Sequence, residues 1–186
     1  MAYGLKPVKH LKGGLMRAQA YPIANNYNTA LYTGDPVKLV TGGTIEIAEP
    51  ASTTANIGVF WGVSYTASDG TPVFSKVWNT PSNATNIRAF VWDDPDLVFM
   101  VQADQVGTAL DQAAVGACID LSSGSGSALT GLSAWFLDSS GSPGSSTAQV
   151  KILGAANGDF QWTAVGTAMD VLVMFNEHIF SSTSGI

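Results

Sequence analysis

The sequence predicts an all-β protein: an antiparallel β-barrel or sandwich with an extended N-terminal arm and at most one short helix. From residue 34 onward, apolar stretches of strand length recur about every 10 to 14 residues, the spacing typical of barrels and sandwiches. Turn-forming Gly, Pro, Asn and Asp residues separate these stretches. Apolar residues make up 46% of the chain, which is enough for a continuous core.

The clearest predicted element is a hairpin. Residues 35–40 and 44–48 alternate inward and outward side chains around the Gly-rich turn 41–43. A long strand follows at residues 56–65, in which Gly58 and Gly62 indicate bulges or close approaches of another backbone. Further strands are expected at residues 73–78, 87–92, 97–101, 149–153 and 170–176, with turns at 69–70, 93–96 and 157–158.

Residues 108–114 (TALDQAA) are the single helix candidate, with Gly116 just past its end. The Ser/Gly-rich residues 122–127 and 139–146 predict flexible loops. The only cysteine, Cys118, excludes an internal disulfide, and its apolar surroundings predict a buried, inert thiol.

The chain divides into an extended N-terminal docking arm, residues 1–32, and a single β-barrel or sandwich domain with Ser/Gly-rich loops, residues 33–186. The arm contains four of the five tyrosines and four of the eight basic residues, but no periodic apolar face. Such a segment gains order only from a surface on which it docks. We expect that surface to belong to a partner, so that deleting residues 1–20 leaves the domain folded with nearly the same melting temperature. The alternative is that the arm packs on its own domain or forms an edge strand there.

The tyrosines and bases of the arm are the candidate partner-binding residues, because aromatic rings anchor interfaces and the bases match an acidic neighbour. They are Tyr3, Lys6, Lys9, Lys12, Arg17, Tyr21 and Tyr27.

Charge limits the classes of partner. Charged residues are only 12% of the chain, and a surface of hydroxyl and amide groups suits large static contacts because such groups cost less to bury than charges. The net charge is −6 although the arm is basic, so the domain itself is strongly acidic and would repel nucleic acid. The apolar runs are too short to span a bilayer, and we expect no membrane partner.

The sequence offers no catalytic, cofactor-binding or metal-binding set, and we expect that the protein is not an enzyme. Its two histidines are His10 and His178. If residues 176–179 form a strand, the neighbouring Glu177 points to the opposite face from His178, which leaves no metal site there. No G-x-S-x-G motif of a serine hydrolase is present. His178 is expected to be hydrogen-bonded or half-exposed at a strand end.

Two further clusters have alternative interpretations. The acidic turn of Asp93, Asp94 and Asp96, fixed by Pro95, is interpreted as a solvated β-turn; the alternative is a calcium ion or a lysine of a partner. The five tryptophans are interpreted as core filling or interface anchors rather than as platforms for sugars or bases.

Several motifs resemble small head-associated structural proteins of tailed bacteriophages. They are GDPVKL (34–39), NIGVFWG (56–62), DDPDLVF (93–99), VQAD (101–104), QVKILG (149–154) and DVLVMFNEH (170–178). The resemblance covers roughly residues 32–180, and its motifs are structural ones. It implies a β-barrel capsid decoration (cement) protein, without catalytic residues, that binds assembled major capsid protein and stabilises the shell.

The resemblance also implies where the protein is located and what it binds. The protein is expected on the capsid surface of the virion after synthesis in the host cytoplasm, with the major capsid protein and itself, as a homotrimer, as partners. The alternatives are a minor virion component, such as a head-fibre base or tail protein, and, from another class, a carbohydrate-binding module.

Overall fold

A computed structural model describes residues 2–104, 106, 110–141, 143–144, 146–158 and 169–181. Strands account for 46% of the chain, which confirms the all-β class, and they form a nearly closed, barrel-like sheet with further antiparallel sheets. In the described part of the chain, no helix is long and apolar enough to cross a membrane.

Fifteen strands follow one another in the described residues. They are β1 Lys6–His10, β2 Ala18–Tyr21, β3 Leu31–Tyr32, β4 Pro36–Val40, β5 Thr44–Ile47, β6 Asn56–Thr66, β7 Pro72–Ser75, β8 Val77–Trp78, β9 Thr85–Trp92, β10 Leu97–Ala103, β11 Cys118–Ile119, β12 Leu121–Ser122, β13 Phe136–Leu137, β14 Val150–Ala155 and β15 Met169–Phe175.

Two large sheets contain most of these strands. The first has the order β11-β14-β15-β10-β13-β12, with β1 added to β10, and all its pairs are antiparallel except β10 with β13. The second has the order β2-β9-β6-β4-β5, with β7 added to β6. Strands β3 and β8 form a separate pair. The chain passes from the second sheet to the first through the turn between β9 and β10.

The locally encoded elements agree with the sequence predictions. The hairpin is present as β4 and β5, and Gly43 N–H donates to Val40 C=O across its turn. The Asp69-Gly70 turn is also present: Gly70 N–H donates to Ala67 C=O at 2.9 Å. Cys118 is buried, as predicted.

The predicted helix is mostly wrong where it can be checked. Residues 107–109 lie outside the described part, and only Gln112–Ala114 form a single 3₁₀ turn. The Asp111 side chain accepts a hydrogen bond from Ala113 N–H and caps that turn. A capped turn of three residues is much shorter than a stable α-helix needs to be.

The N-terminal arm lies along the domain as edge strands, which was the alternative expectation. Strand β1 pairs with β10 of the first sheet, and β2 pairs with β9 of the second sheet. Leu5, which lies between Gly4 and β1, is 1% exposed and belongs to the hydrophobic cluster of the first sheet. The arm therefore contributes backbone hydrogen bonds to both sheets and three core residues, Leu5 in the first cluster and Ile23 and Leu31 in the second.

Each sheet covers its own hydrophobic cluster. The first cluster is built around Phe99, Val101, Trp135 and Val173, and the second around Phe60, Trp78 and other residues of β4, β6 and β9. Ile47 is partly buried and packs against both clusters.

Candidate interaction surface

A β-bulge in the central strand β6 turns Trp61 toward solvent. Phe60 pairs with Val91 and Gly62 pairs with Phe90, so Trp61 is the extra residue on β6 between two consecutive partners on β9. Phe60 is fully buried, whereas Trp61 is 43% exposed. Bulges commonly redirect a side chain in this way. Gly62 lets the backbone of β7 approach closely, because a Cβ there would lie 3.0 Å from the Ser75 carbonyl oxygen.

Three other rings surround Trp61 and form with it an aromatic patch, defined as Trp61, Phe74, Phe90 and Trp92. The Trp61 ring centroid lies 5.9 Å from that of Phe74, 6.1 Å from Phe90 and 6.0 Å from Trp92. Phe74 is 60% exposed. Edge-to-face and tilted contacts of this kind hold the rings rigidly. Trp61 and Phe74 are exposed, whereas Phe90 and Trp92 are partly buried. Exposed apolar patches of this kind are candidate interaction surfaces.

A pocket of about 220 Å³ opens beside the aromatic patch, between residues 3–7 of the arm and β6. Its lining includes the buried residues Leu5, Val59 and Phe60 together with Trp61 and Trp92 of the patch. The arm supplies Tyr3, Lys6 and Pro7, and the loops supply Thr33, Gly34 and Leu132.

Two of the predicted partner-binding residues, Tyr3 and Lys6, meet at this pocket. The Lys6 ammonium lies 3.7 Å from the centroid of the Tyr3 ring, a cation–π contact. The Tyr3 hydroxyl donates a 2.6 Å hydrogen bond to Asp170 Oδ1. Burial and this bond to a carboxylate raise the pKa of Tyr3, so its hydroxyl keeps its proton.

Other arm residues contact the acidic turn between β9 and β10. Lys12 Nζ lies 2.8 Å from Asp96 Oδ2, and the Tyr21 hydroxyl donates to Asp93 Oδ2 at 2.6 Å. Burial, then the bond to Asp93, raises the pKa of Tyr21. The acidic surface that the arm's bases were expected to match is thus present within this chain.

His10, Asp94 and Asp96 form a group that sequence analysis did not identify. One ligand atom from each lies within 4.8 Å of the others, a separation that suits a metal ion. These atoms already have partners. His10 Nδ1 accepts a hydrogen bond from Lys12 N–H, so the ring proton is on Nε2, which lies 3.1 Å from Asp94 Oδ2. A metal ion would have to displace that proton and the Lys12 ammonium, so the group serves to hold the arm.

The remaining candidate residues are separated from the pocket. Tyr27 packs against the second core, and its hydroxyl accepts a hydrogen bond from Ile47 N–H. Lys9 and Arg17 are exposed and have no acidic partner among the described residues. The structure therefore brings together only Tyr3 and Lys6 of the predicted set at a surface that is available to a partner.

A buried carboxylate lies directly behind the pocket. Asp35 is 2% exposed, and its Oδ2 accepts a hydrogen bond from Tyr32 N–H at 2.8 Å. The Ser133 hydroxyl also bonds to this carboxylate. Burial outweighs both bonds and raises the pKa of Asp35 to about 6. Asp35 thus links β3, the Ser133 loop and the backbone that lines the pocket.

His178 is hydrogen-bonded, the first of the two states expected for it, and not half-exposed: it is 1% exposed and forms a β-bridge with Asn56 at the start of β6. Its Nδ1 accepts a hydrogen bond from Phe180 N–H. Burial lowers the pKa of His178. The Ser181 hydroxyl donates to the His178 backbone carbonyl oxygen at 3.1 Å, and within the described residues neither imidazole ring is given a hydrogen bond to a Ser, Thr or Cys side chain.

Sequence analysis weighed the tryptophans together, but the structure separates them. Trp78 and Trp135 are buried core residues, Trp61 and Trp92 belong to the aromatic patch, and Trp162 lies outside the described residues. Of the two in the patch, only Trp61 is exposed, and its local signal was Gly62, which indicated a bulge or a close approach in β6.

The chain gives no significant match to protein-family models, to curated proteins or to solved structures.

Proposed function

We propose that this chain is a structural virion protein that binds the outside of an assembled phage capsid and stabilises it. The observation that supports this most directly is the aromatic patch. Trp61 and Phe74 are displayed on a hydrogen-bonded sheet, where they lose little conformational freedom on binding. Rigid aromatic anchors of this kind provide most of the binding energy in protein interfaces.

The surface around the patch is also suited to this role. The chain has only 12% charged residues, so a large contact can be formed with little desolvation of charge. Binding through rings and hydroxyl groups is less sensitive to salt than binding through exposed ion pairs. We propose the major capsid protein as the partner because the sequence motifs quoted above resemble those of head-associated phage proteins.

The absence of a catalytic arrangement in the described residues supports a binding role rather than an enzymatic one. Cys118 is buried, and the Ser181 hydroxyl donates to the His178 backbone carbonyl oxygen rather than to its imidazole ring. We also propose that the protein self-associates as a trimer around local symmetry axes of the shell. We propose no nucleic-acid or membrane partner.

A carbohydrate-binding module is the second candidate, because exposed Trp61 and Phe74 also resemble a platform on which a sugar ring can stack. Glycans titrated into the isolated protein would quench tryptophan fluorescence in that case. A minor virion component, such as a head-fibre base or tail protein, would have only a handful of copies per particle.

Co-sedimentation with capsids tests the proposal. The protein should sediment with intact shells, saturate them at a stoichiometry comparable with the major capsid protein, and fail to bind unassembled capsid subunits. Binding to free subunits alone, or no binding to shells, contradicts the proposal. Saturation at a few copies per shell favours the minor component.

Phe74 and Phe180 provide a matched pair of variants. Their exposures are 60% and 59%, but the Phe180 ring lies against His178 rather than in the aromatic patch. We expect Phe74→Ala to weaken shell binding about 10-fold or more, the effect of losing an interface anchor. Phe180→Ala should bind as the unmodified protein does. Equal effects of the two substitutions would show that the patch is not the contact.

A further inference from the structure

We propose that the pocket beside Trp61 and Trp92 receives one apolar side chain of the capsid partner, next to a carboxylate that pairs with Lys6. This inference rests on the proposed function, since it identifies which group of that partner the surface recognises.

The size and lining of the pocket fit a single apolar side chain. A cavity of about 150 Å³ lined by Leu, Ile and Phe is enough to hold a benzene ring. The pocket here has about 220 Å³ and is lined mainly by apolar groups of Leu5, Val59, Phe60 and the two tryptophans. An aromatic or long aliphatic side chain therefore fits, and filling such a pocket is the usual role of an interface anchor.

The hydroxyl groups of the lining are already engaged within the chain. Thr33 Oγ1 donates to the Trp61 carbonyl oxygen at 2.7 Å and also lies 3.0 Å from the Lys76 carbonyl oxygen. The Tyr3 hydroxyl donates to Asp170. A sugar needs several directed polar partners, and these two groups have no hydrogen left to offer it. An apolar occupant requires none.

Lys6 is the charged group of the lining, and it stacks on a ring instead of pairing with an acid. Lys12 and Lys38, by contrast, have carboxylates at 2.8 and 2.6 Å. Among the described residues no carboxylate lies within ion-pair distance of Lys6. An exposed cation beside an apolar pocket is complementary to an apolar side chain with an acidic neighbour.

The pocket is formed before any partner arrives. Leu5 N–H donates to Gly34 C=O at 2.9 Å, and Gly34 N–H donates to Phe60 C=O at 2.9 Å. These bonds join the arm, the loop after β3 and the central strand across the pocket lining. A pre-organised pocket reduces the entropy cost of binding.

Shell binding by two matched pairs of variants tests the inference. Leu132 lines the pocket, whereas Leu129 lies in the same loop at 97% exposure and does not line it. Leu132→Trp should fill the pocket and weaken binding about 10-fold or more, while Leu129→Trp should not. Lys6→Glu should weaken binding more than Lys9→Glu, although both lysines are exposed on β1. If Phe74→Ala weakens binding but Leu132→Trp and Lys6→Glu do not, the pocket inference fails and the proposed function stands.

Peptide probes separate the inference from the proposed function. In NMR titrations of the full chain, the peptide acetyl-Glu-Phe-Glu-amide should shift the indole N–H signals of Trp61 and Trp92. The control peptide acetyl-Lys-Phe-Lys-amide should shift them much less. If the acidic peptide shifts these signals but the protein does not bind to shells, the capsid role is refuted and the pocket inference still holds. Equal shifts with both peptides, or none with either, would overturn the inference.

Discussion

The hydroxyl of Tyr21 donates a 2.6 Å hydrogen bond to the carboxylate of Asp93, and so joins β2 to the turn between β9 and β10. On the same turn, Lys12 pairs with Asp96, whose carbonyl oxygen also accepts a bond from Leu11 N–H at 2.8 Å. The arm thus contacts the turn through which the chain passes from β9 of the second sheet to β10 of the first. In the structure the arm is therefore part of the folded domain.

We expect loss of the arm to destabilise the domain, contrary to the expectation from sequence. Deleting residues 1–20 removes β1, most of β2 and Leu5, and exposes the edges of β9 and β10 to solvent. Leu5→Ala alone should lower the free energy of unfolding by about 2–5 kcal/mol, the usual cost of a cavity in a core. Urea unfolding measures both changes.

Leu15→Ala is the control for that experiment, because Leu15 lies in the same arm but is 81% exposed. Its effect should remain within about 0.5 kcal/mol. Equal stability of the Leu5 and Leu15 variants would mean that the arm does not pack on the core.

Asp35 should make the domain less stable as the pH rises from about 4 to 6. Its folded pKa of about 6 lies above its ordinary value of 3.8, so the folded state binds the proton more tightly in that window. Above pH 6 the buried charge costs up to about 3 kcal/mol. Asp35→Asn keeps an acceptor for Tyr32 N–H without the charge. The variant should gain stability relative to the unmodified protein across this window, measured by urea unfolding at each pH. A constant difference between the two proteins from pH 4 to 7 would contradict the prediction.

His178 should have the opposite pH dependence and make the domain less stable as the pH falls. Burial holds its pKa below the ordinary 6.5, so the unfolded state binds the proton more tightly and stability is lost as the pH falls below 6.5. His178→Gln should remove that loss. Because both proteins contain Asp35, the difference between their unfolding free energies at each pH isolates the His178 contribution. A difference that does not change between pH 7 and 5 would show that His178 does not titrate there.

Gly58→Ala should be strongly destabilising. Gly58 has a φ of 148°, and a Cβ there would lie 2.0 Å from the Trp92 carbonyl oxygen. Gly42 also has a positive φ, 106°, but a Cβ there meets nothing within 4 Å. We expect Gly58→Ala to cost at least about 2 kcal/mol more than Gly42→Ala, because only the first variant forces two backbones apart. Thermal unfolding compares them, and equal melting temperatures would contradict the assigned close approach.

The sequence predicted best the features that neighbouring residues determine. The β4–β5 hairpin and the Asp69-Gly70 turn follow from alternation and turn chemistry within about ten residues. Gly58 and Gly62 were identified because glycine in a strand marks a bulge or a close approach, and both contacts are present.

Features that depend on distant parts of the chain were not predicted. Nothing in the residues of β1 indicates that Lys6 pairs with Met100. The arm was therefore expected to project toward a partner. The aromatic patch joins β6, β7 and β9. Its rings were visible in the sequence, but their common surface depends on the bulge at Trp61 and on strand register.

The position of β1 has a consequence for the order in which the newly made chain folds. Its partner residues in β10 lie 94 positions downstream, from Lys6 to Met100. At about 5–20 residues per second of synthesis, the N-terminal segment waits roughly 5–20 s on the ribosome before that partner strand emerges. During this interval Leu5 and the edge of β1 are open to proteases and to pairing with other nascent chains. Strand β1 therefore cannot take its place in the first sheet until β10 has been synthesised.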